Sequence, residues 1–126
     1  MMWNIGKNIR RICMLIPAIN LPRRGSEAIE FYKTALGAEV VDIGMTVLTL
    51  FGAKFGIEDD EDETGINNGL IMNVFLANEE EVTVVFNKLA EKGQVEIPLT
   101  PDHWTSLWGF VVDYFGVRWC IAVEHE

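Results

Sequence analysis

Few side chains in this chain can do acid–base, nucleophilic or metal chemistry, and they are not grouped. There are two histidines: His103, inside Asp102-His103-Trp104, and the penultimate His125. There are two cysteines, Cys13 and Cys120, each inside an apolar run rather than in a Cys-x-x-Cys pair, which reads as a small buried hydrophobe. The densest charge is Glu58-Asp59-Asp60-Glu61-Asp62-Glu63. Such a block repels itself and reads as a solvated loop, and it lacks the Asp-x-Asp-x-Asp-Gly spacing with a distal Glu that a calcium loop uses. A divalent site commonly needs three or four imidazole, carboxylate or thiolate ligands. The residues therefore predict no metal ligands and no resident cofactor, with a divalent metal held at an atypical centre as the alternative.

Aromatic residues are richer site material. Trp104, Trp108 and Trp119 fall close together, with Tyr114 and Phe115 between them. Aromatic walls with a few polar groups stack flat ligands or cations, and Asn20, Thr46 and His103 are polar residues placed to orient one. The competing reading is that the rings fill a core and the polar groups are satisfied locally.

The composition limits the classes of partner. With 126 residues, 49% of them hydrophobic, the chain suits one globular domain or two half-domains sharing a core. The net charge is −9, and the acidic run supplies six of those negative charges. Lysines and arginines are scattered, so no basic stripe for nucleic acid is expected. No apolar stretch reaches the roughly 18–20 residues of a membrane span. Lys7, Arg10 and Arg11 ahead of Ile12–Ile16 have the look of a short export signal, but no small-residue cleavage site follows, so a cytoplasmic location is expected.

The elements that would position these residues repeat. Ser26–Val40 reads as an amphipathic helix capped by Ser26, stopped by Gly37 and followed by a strand. Asn78–Val95 reads the same way, with Asn78 and Glu81 spaced as a reciprocal capping box and Gly93 at the stop. Apolar runs at 14–19, 45–51 and 70–76 read as strands, with a turn at Gly52-Ala53. Leu99–Leu107 reads as a loop, and 108–112 with 118–123 as a last hairpin. The predicted class is α+β: two βαβββ modules, about 14–64 and 65–126, after an extension over 1–13.

Ile16-Pro17-Ala18-Ile19-Asn20, Glu27–Lys33 and Leu36-Gly37-Ala38-Glu39, together with Trp104, Trp108-Gly109, Val112-Asp113 and Phe115–Trp119, resemble the PhnB-like branch of the glyoxalase, bleomycin-resistance and extradiol-dioxygenase superfamily. The resemblance spans about residues 14–124. It implies paired modules whose mixed sheets curl into a cup with the helices outside, in a homodimer. In active relatives, His, Gln or Glu from the cup floor hold a divalent metal. Here Thr46 stands where a histidine often begins the third strand, and Cys120, with Ile121 as the neighbouring alignment, stands where a glutamate follows the last glycine turn. The remaining ligand strands offer Asn20, Glu58 and a position near Ile71. A methyltransferase label sometimes given to this branch lacks support, because no glycine-rich turn joins a strand to a helix.

The expectation is a metal-free small-molecule binding protein, its ligand held by Asn20, Thr46, His103, Trp104, Trp108 and Cys120. The alternatives are a lyase, isomerase or dioxygenase-type enzyme working through Glu58, His103 or Cys120, and a dimeric interaction module with a packed cup.

Overall fold

The computed structural model describes residues 15–59 and 70–124. The extension at 1–13 with Cys13, most of the acidic run and His125 lie outside the described residues.

Each half of the chain places one helix between its first and second strands. The first module runs β1 (Ala18–Asn20), α1 (Gly25–Leu36), β2 (Glu39–Asp42), β3 (Thr46–Leu50) and β4 (Ala53–Glu58). The second runs β5 (Ile71–Leu76), α2 (Glu79–Ala90), β6 (Gln94–Asp102), β7 (Thr105–Val112) and β8 (Arg118–Val123). The two four-stranded sheets have the orders β1-β4-β3-β2 and β5-β8-β7-β6. In each the first strand pairs in parallel with the last, and the remaining pairs are antiparallel. This is the α+β arrangement of two open, mixed βαβββ sheets that the repeat predicts.

The helices end as their sequences suggest only in part. Gly37 sits at φ 75° and closes α1, its N–H donating to the Lys33 carbonyl and that of Ala38 to Tyr32. The start of α1 differs from expectation. Arg24, not Ser26, occupies the cap position without a side-chain cap bond, and the Asp59 carboxylate, arriving from the end of β4, accepts from the N–H groups of Arg23 (2.5 Å) and Gly25 (3.3 Å). A carboxylate distant in sequence thus does the work of a local cap. At α2 the expected box forms: Glu81 N–H donates to Asn78 Oδ1 at 2.9 Å, and Glu81 Oε2 accepts from Ala77 N–H at 3.1 Å. Its other end is not a glycine stop, since the left-handed residue is Lys92, at φ 59°. Gly93 answers a close approach instead: a Cβ there would lie 2.5 Å from the Val112 carbonyl oxygen.

Two further expectations change. The β3–β4 hairpin turns at Phe51-Gly52, both with positive φ (52° and 79°), rather than at Gly52-Ala53. Leu99–Leu107 is not a loop, because β6 continues through Pro98 and Pro101 to Asp102 and pairs with β7 through three register shifts. Proline is tolerated there because β6 is an edge strand and can leave its outer backbone unpaired.

Side chains from both sheets and both helices join in one core, including Leu48, Phe55, Tyr32, Phe86, Val111, Trp119 and Ile121. Fully burying an aliphatic side chain of this kind stabilises the fold by roughly 1.5–3 kcal/mol. Tyr32 of α1 is central, with ring centroids 6.2 Å from Phe55 in its own module and 6.0 and 5.9 Å from Phe115 and Trp119 in the other. Its hydroxyl donates to Asp113 Oδ2 at 2.5 Å. The junction between the modules is therefore packed on the helix side of both sheets.

Candidate functional site

Strand pairing decides which residues can meet a ligand, because directly paired residues share a face and neighbours along a strand alternate. On the second sheet, Gly109 and Val111 pair with Ile121 and Trp119, and a Cβ on Gly109 would lie 2.6 Å from the Phe86 ring of α2. That face is covered by helix. The opposite face carries Trp108, Phe110 and Val112 of β7, paired with Ala122, Cys120 and Arg118 of β8, which pair in turn with Phe75, Asn73 and Ile71 of β5. Among the described residues no helix covers it, and Ile71 and Phe75 remain exposed, Phe75 at 59%.

An aromatic stripe crosses this uncovered face. Trp104 and Trp108 meet with centroids 5.3 Å apart at a tilt of 53°. Phe110 continues the line, with the Arg118 guanidinium 5.2 Å above its ring. Both tryptophans are half-buried, and among the described residues the Trp108 indole N–H is buried without a hydrogen-bond partner. At the tip of the β6–β7 hairpin, Asp102 Oδ1 accepts from His103 N–H at 2.7 Å and lies 2.8 Å from His103 Nδ1. These contacts hold the Asp102 carboxyl below the usual carboxylate range, the backbone N–H of His103 first and its ring second. The Trp108 indole adds the weakest such pull, although its N–H falls short of hydrogen-bond geometry. With Nδ1 engaged by the carboxylate, His103 presents Nε2 to solvent. Desolvation pushes the Cys120 thiol above its ordinary range, so it stays protonated on the sheet floor.

The six residues expected at the site divide between the sheets. His103, Trp104, Trp108 and Cys120 belong to the second sheet or its hairpin tip, and Trp108 and Cys120 share the uncovered face. Asn20 and Thr46 belong to the first sheet, where Asn20 pairs with Glu58 and Thr46 with Ile57. Glu58 and Ile57 are adjacent in β4, so Asn20 and Thr46 point to opposite faces, and Thr46 shares its face with the core residues Ile57 and Ile19. Sequence reasoning missed Phe110, Arg118 and Asn73. The period-two alternation of β7 and β8 is the signal that could have found the first two.

The same pairing tests the fit of a metal. The strand positions in question carry Asn20 beside Glu58 on the first sheet and Asn73 beside Cys120 on the second. That donor set is one carboxylate, two carboxamides and a protonated thiol. Among the described residues no three His, Cys, Asp or Glu side chains come together. These residues do not fit the divalent centre of active relatives.

Residues 23–121 match the family model described as the glyoxalase/bleomycin resistance protein/dioxygenase superfamily. The chain belongs to that superfamily. Solved structures agree with the superfamily's fold. A putative 3-demethylubiquinone-9 3-methyltransferase, PhnB protein, from Bacillus cereus aligns at TM-score 0.77 and 23% identity, over 87% of this chain and 98% of that one. A Pseudomonas aeruginosa protein aligns at 0.79 and 22%, over 91% and 100%. A glyoxalase-related enzyme from Fulvimarina pelagi aligns at 0.64 and 19%, over 89% of each. A comparison with curated proteins finds no match. Within the glyoxalase superfamily, then, this chain keeps the paired-module scaffold while the strand positions tested for a metal carry Asn20, Glu58, Asn73 and Cys120.

Proposed function

We propose that this glyoxalase-superfamily chain is a metal-independent, cytoplasmic small-molecule binding protein. Its ligand stacks on the uncovered face of the second sheet. The observation that carries this reading is the Trp104–Trp108 pair continued by Phe110 under Arg118. Large flat rings supply apolar area with little conformational entropy to lose, and the guanidinium and the Asn73 amide give a planar ligand its orientation. The Trp108 N–H, which meets no acceptor at hydrogen-bond geometry among the described residues, supports the same reading, because a bound acceptor would complete its bonding. A second copy of the chain closes this face, since Ile71 and Phe75 would otherwise leave apolar sheet surface in water. Asn20 and Glu58, on the first sheet's face away from its core, are the residues a partner copy would bring.

Tryptophan fluorescence titration with planar aromatic cations and neutral planar heterocycles tests the proposal. A saturable change with some members of the set, lost in Trp104→Ala and Trp108→Ala, is the expected result. Silence across the set contradicts it. Light scattering that shows a monomer at high concentration removes the dimer from the account.

One observation favours a second reading, an enzyme that moves a proton. The Asp102–His103 pair fixes the tautomer of an imidazole next to Trp104. Substrate turnover abolished by His103→Gln but retained by Trp108→Phe would select it over simple binding.

A further inference from the structure

Among the described residues, the seam between the modules holds two cavities that share one residue. The first, about 390 Å³, is lined by Phe51, Phe55, Trp119 and both faces of the edge strand β5, Asn73 and Phe75 included. The second, about 550 Å³, lies against the start of α2 and is lined by Phe51, Leu76, Val84, Val85, Glu80 and Glu81, with Asn78. Each has a volume suited to a small organic ligand. Neither contains Asn20, Thr46, His103, Trp104, Trp108 or Cys120.

Phe51 stands where they meet, in a backbone state that does not suit it. Two-residue turns with both φ values positive favour Asn, Asp and Gly, and a bulky residue at φ 52° is an outlier. The residue is nevertheless 42% exposed rather than driven into the core. Core packing therefore does not account for a phenylalanine here. A ring that forms a wall of both cavities does.

The two cavities differ in polarity. Apolar side chains and the Trp119 indole dominate the first, whereas Glu80 and Glu81 line the second, Glu81 with one oxygen engaged by Ala77 N–H. The positive end of α2 lies at the same mouth, but a helix terminus carries only about half an elementary charge, which two carboxylates outweigh. Among the described residues no lysine or arginine lines either cavity.

We infer that this seam is a second ligand site, taking an elongated amphiphilic cation whose apolar body lies along Phe51 and Trp119 and whose ammonium group lies at Glu80 and Glu81. It does not include the Trp104–Trp108 pair but shares Asn73 of β5 with the site proposed above, so its test is arranged to keep the two apart. The chain has four tryptophans, so Trp3→Phe/Trp104→Phe/Trp108→Phe leaves Trp119 as the single reporter and removes the other face's rings. This variant, with its fold checked by circular dichroism, is titrated with dodecyltrimethylammonium, dodecanol and dodecyl sulfate, each below its aggregation limit. Calorimetry on the wild-type chain supplies a parallel reading.

A saturable one-to-one change in Trp119 emission with the ammonium probe is expected, about tenfold tighter than with the sulfate. Phe51→Gly relieves the turn, so it is expected to raise Tm while weakening the ammonium probe by about tenfold. Glu80→Gln is expected to narrow the gap between ammonium and alcohol. The inference is overturned by no saturable response, by equal affinity for ammonium and sulfate, or by unchanged binding in Phe51→Gly. It is also overturned if Phe51→Gly dissociates a dimer, which would make a second copy the occupant of the seam.

Discussion

The Tyr32 hydroxyl donates to the Asp113 carboxylate at 2.5 Å, and with that bond the helix of the first module is tied to the last hairpin of the second. Asp113 is 3% exposed and fully engaged. Its Oδ2 also accepts from Trp119 Nε1 at 2.9 Å, and its Oδ1 from the N–H groups of Phe115 and Val117 at 2.9 and 3.0 Å. One carboxylate thus shapes the β7–β8 turn and clasps the modules. Removing it strands four donors, so Asp113→Ala is expected to cost about 3 kcal/mol or more, and Tyr32→Phe about 1–2 kcal/mol. Urea unfolding of both variants checks this. An Asp113→Ala midpoint equal to that of wild type would contradict the clasp.

The same phenol sets an alkaline limit. Burial first, then the neighbouring Asp113 charge, push the Tyr32 pKa far above its ordinary value of 10.0. A phenol held neutral in the folded state but ionised in the unfolded one contributes stability that is full below about pH 10 and falls as pH rises beyond it. Unfolding free energy measured from pH 8 to 11 is expected to fall above pH 10, and to fall less in Tyr32→Phe. Parallel curves for the two proteins would be the contrary result.

Helix capping separates local from distant residues. Asp59→Ala and Asn78→Ala are each expected to lose about 1 kcal/mol, whereas Ser26→Ala, at a position the cap does not use, is expected to stay within about 0.5 kcal/mol. Thermal melts of the three variants check the order. A larger loss at Ser26 than at Asp59 would reverse the assignment.

That pattern shows what the sequence makes legible. The Asn78–Glu81 box and the Gly37 stop are local, so spacing alone reveals them, and the twin modules follow from the same periodicity. The Asp59 cap and the Asp113 clasp join residues 34 to 81 positions apart, and no window of sequence contains both partners. Leu99–Leu107 reads locally as a loop, and only the sheet order shows that β6 is an edge strand able to carry Pro98 and Pro101. Of the site, the nearness of Trp104 and Trp108 was legible. That Thr46 shares the core face while Asn20 lies on the opposite one depends on the register of β1, β3 and β4, which composition does not encode.

Close approaches should rank three glycines. A Cβ at Gly93 meets backbone, the Val112 carbonyl oxygen at 2.5 Å, while one at Gly56 meets the movable end of Met45 at 2.1 Å. Gly93→Ala is expected to destabilise by about 2–3 kcal/mol and Gly56→Ala by less than about 1.5 kcal/mol. Gly109→Ala, which presses on the Phe86 ring and the Ile97 carbonyl, should fall between them. Denaturant midpoints that place Gly56→Ala as the most damaging would refute this reading.

Ligand binding on the Trp104–Trp108–Phe110 face is proposed to need no metal. The most direct measurement is isothermal titration calorimetry with a planar ligand found by the fluorescence screen, run with and without a strong chelator, on wild type and on Trp104→Ala/Trp108→Ala. The account expects the same affinity with and without chelator, and at least a tenfold loss in the double variant, which corresponds to about 1.4 kcal/mol. Affinity abolished by the chelator, or unchanged when both tryptophans are removed, would contradict it.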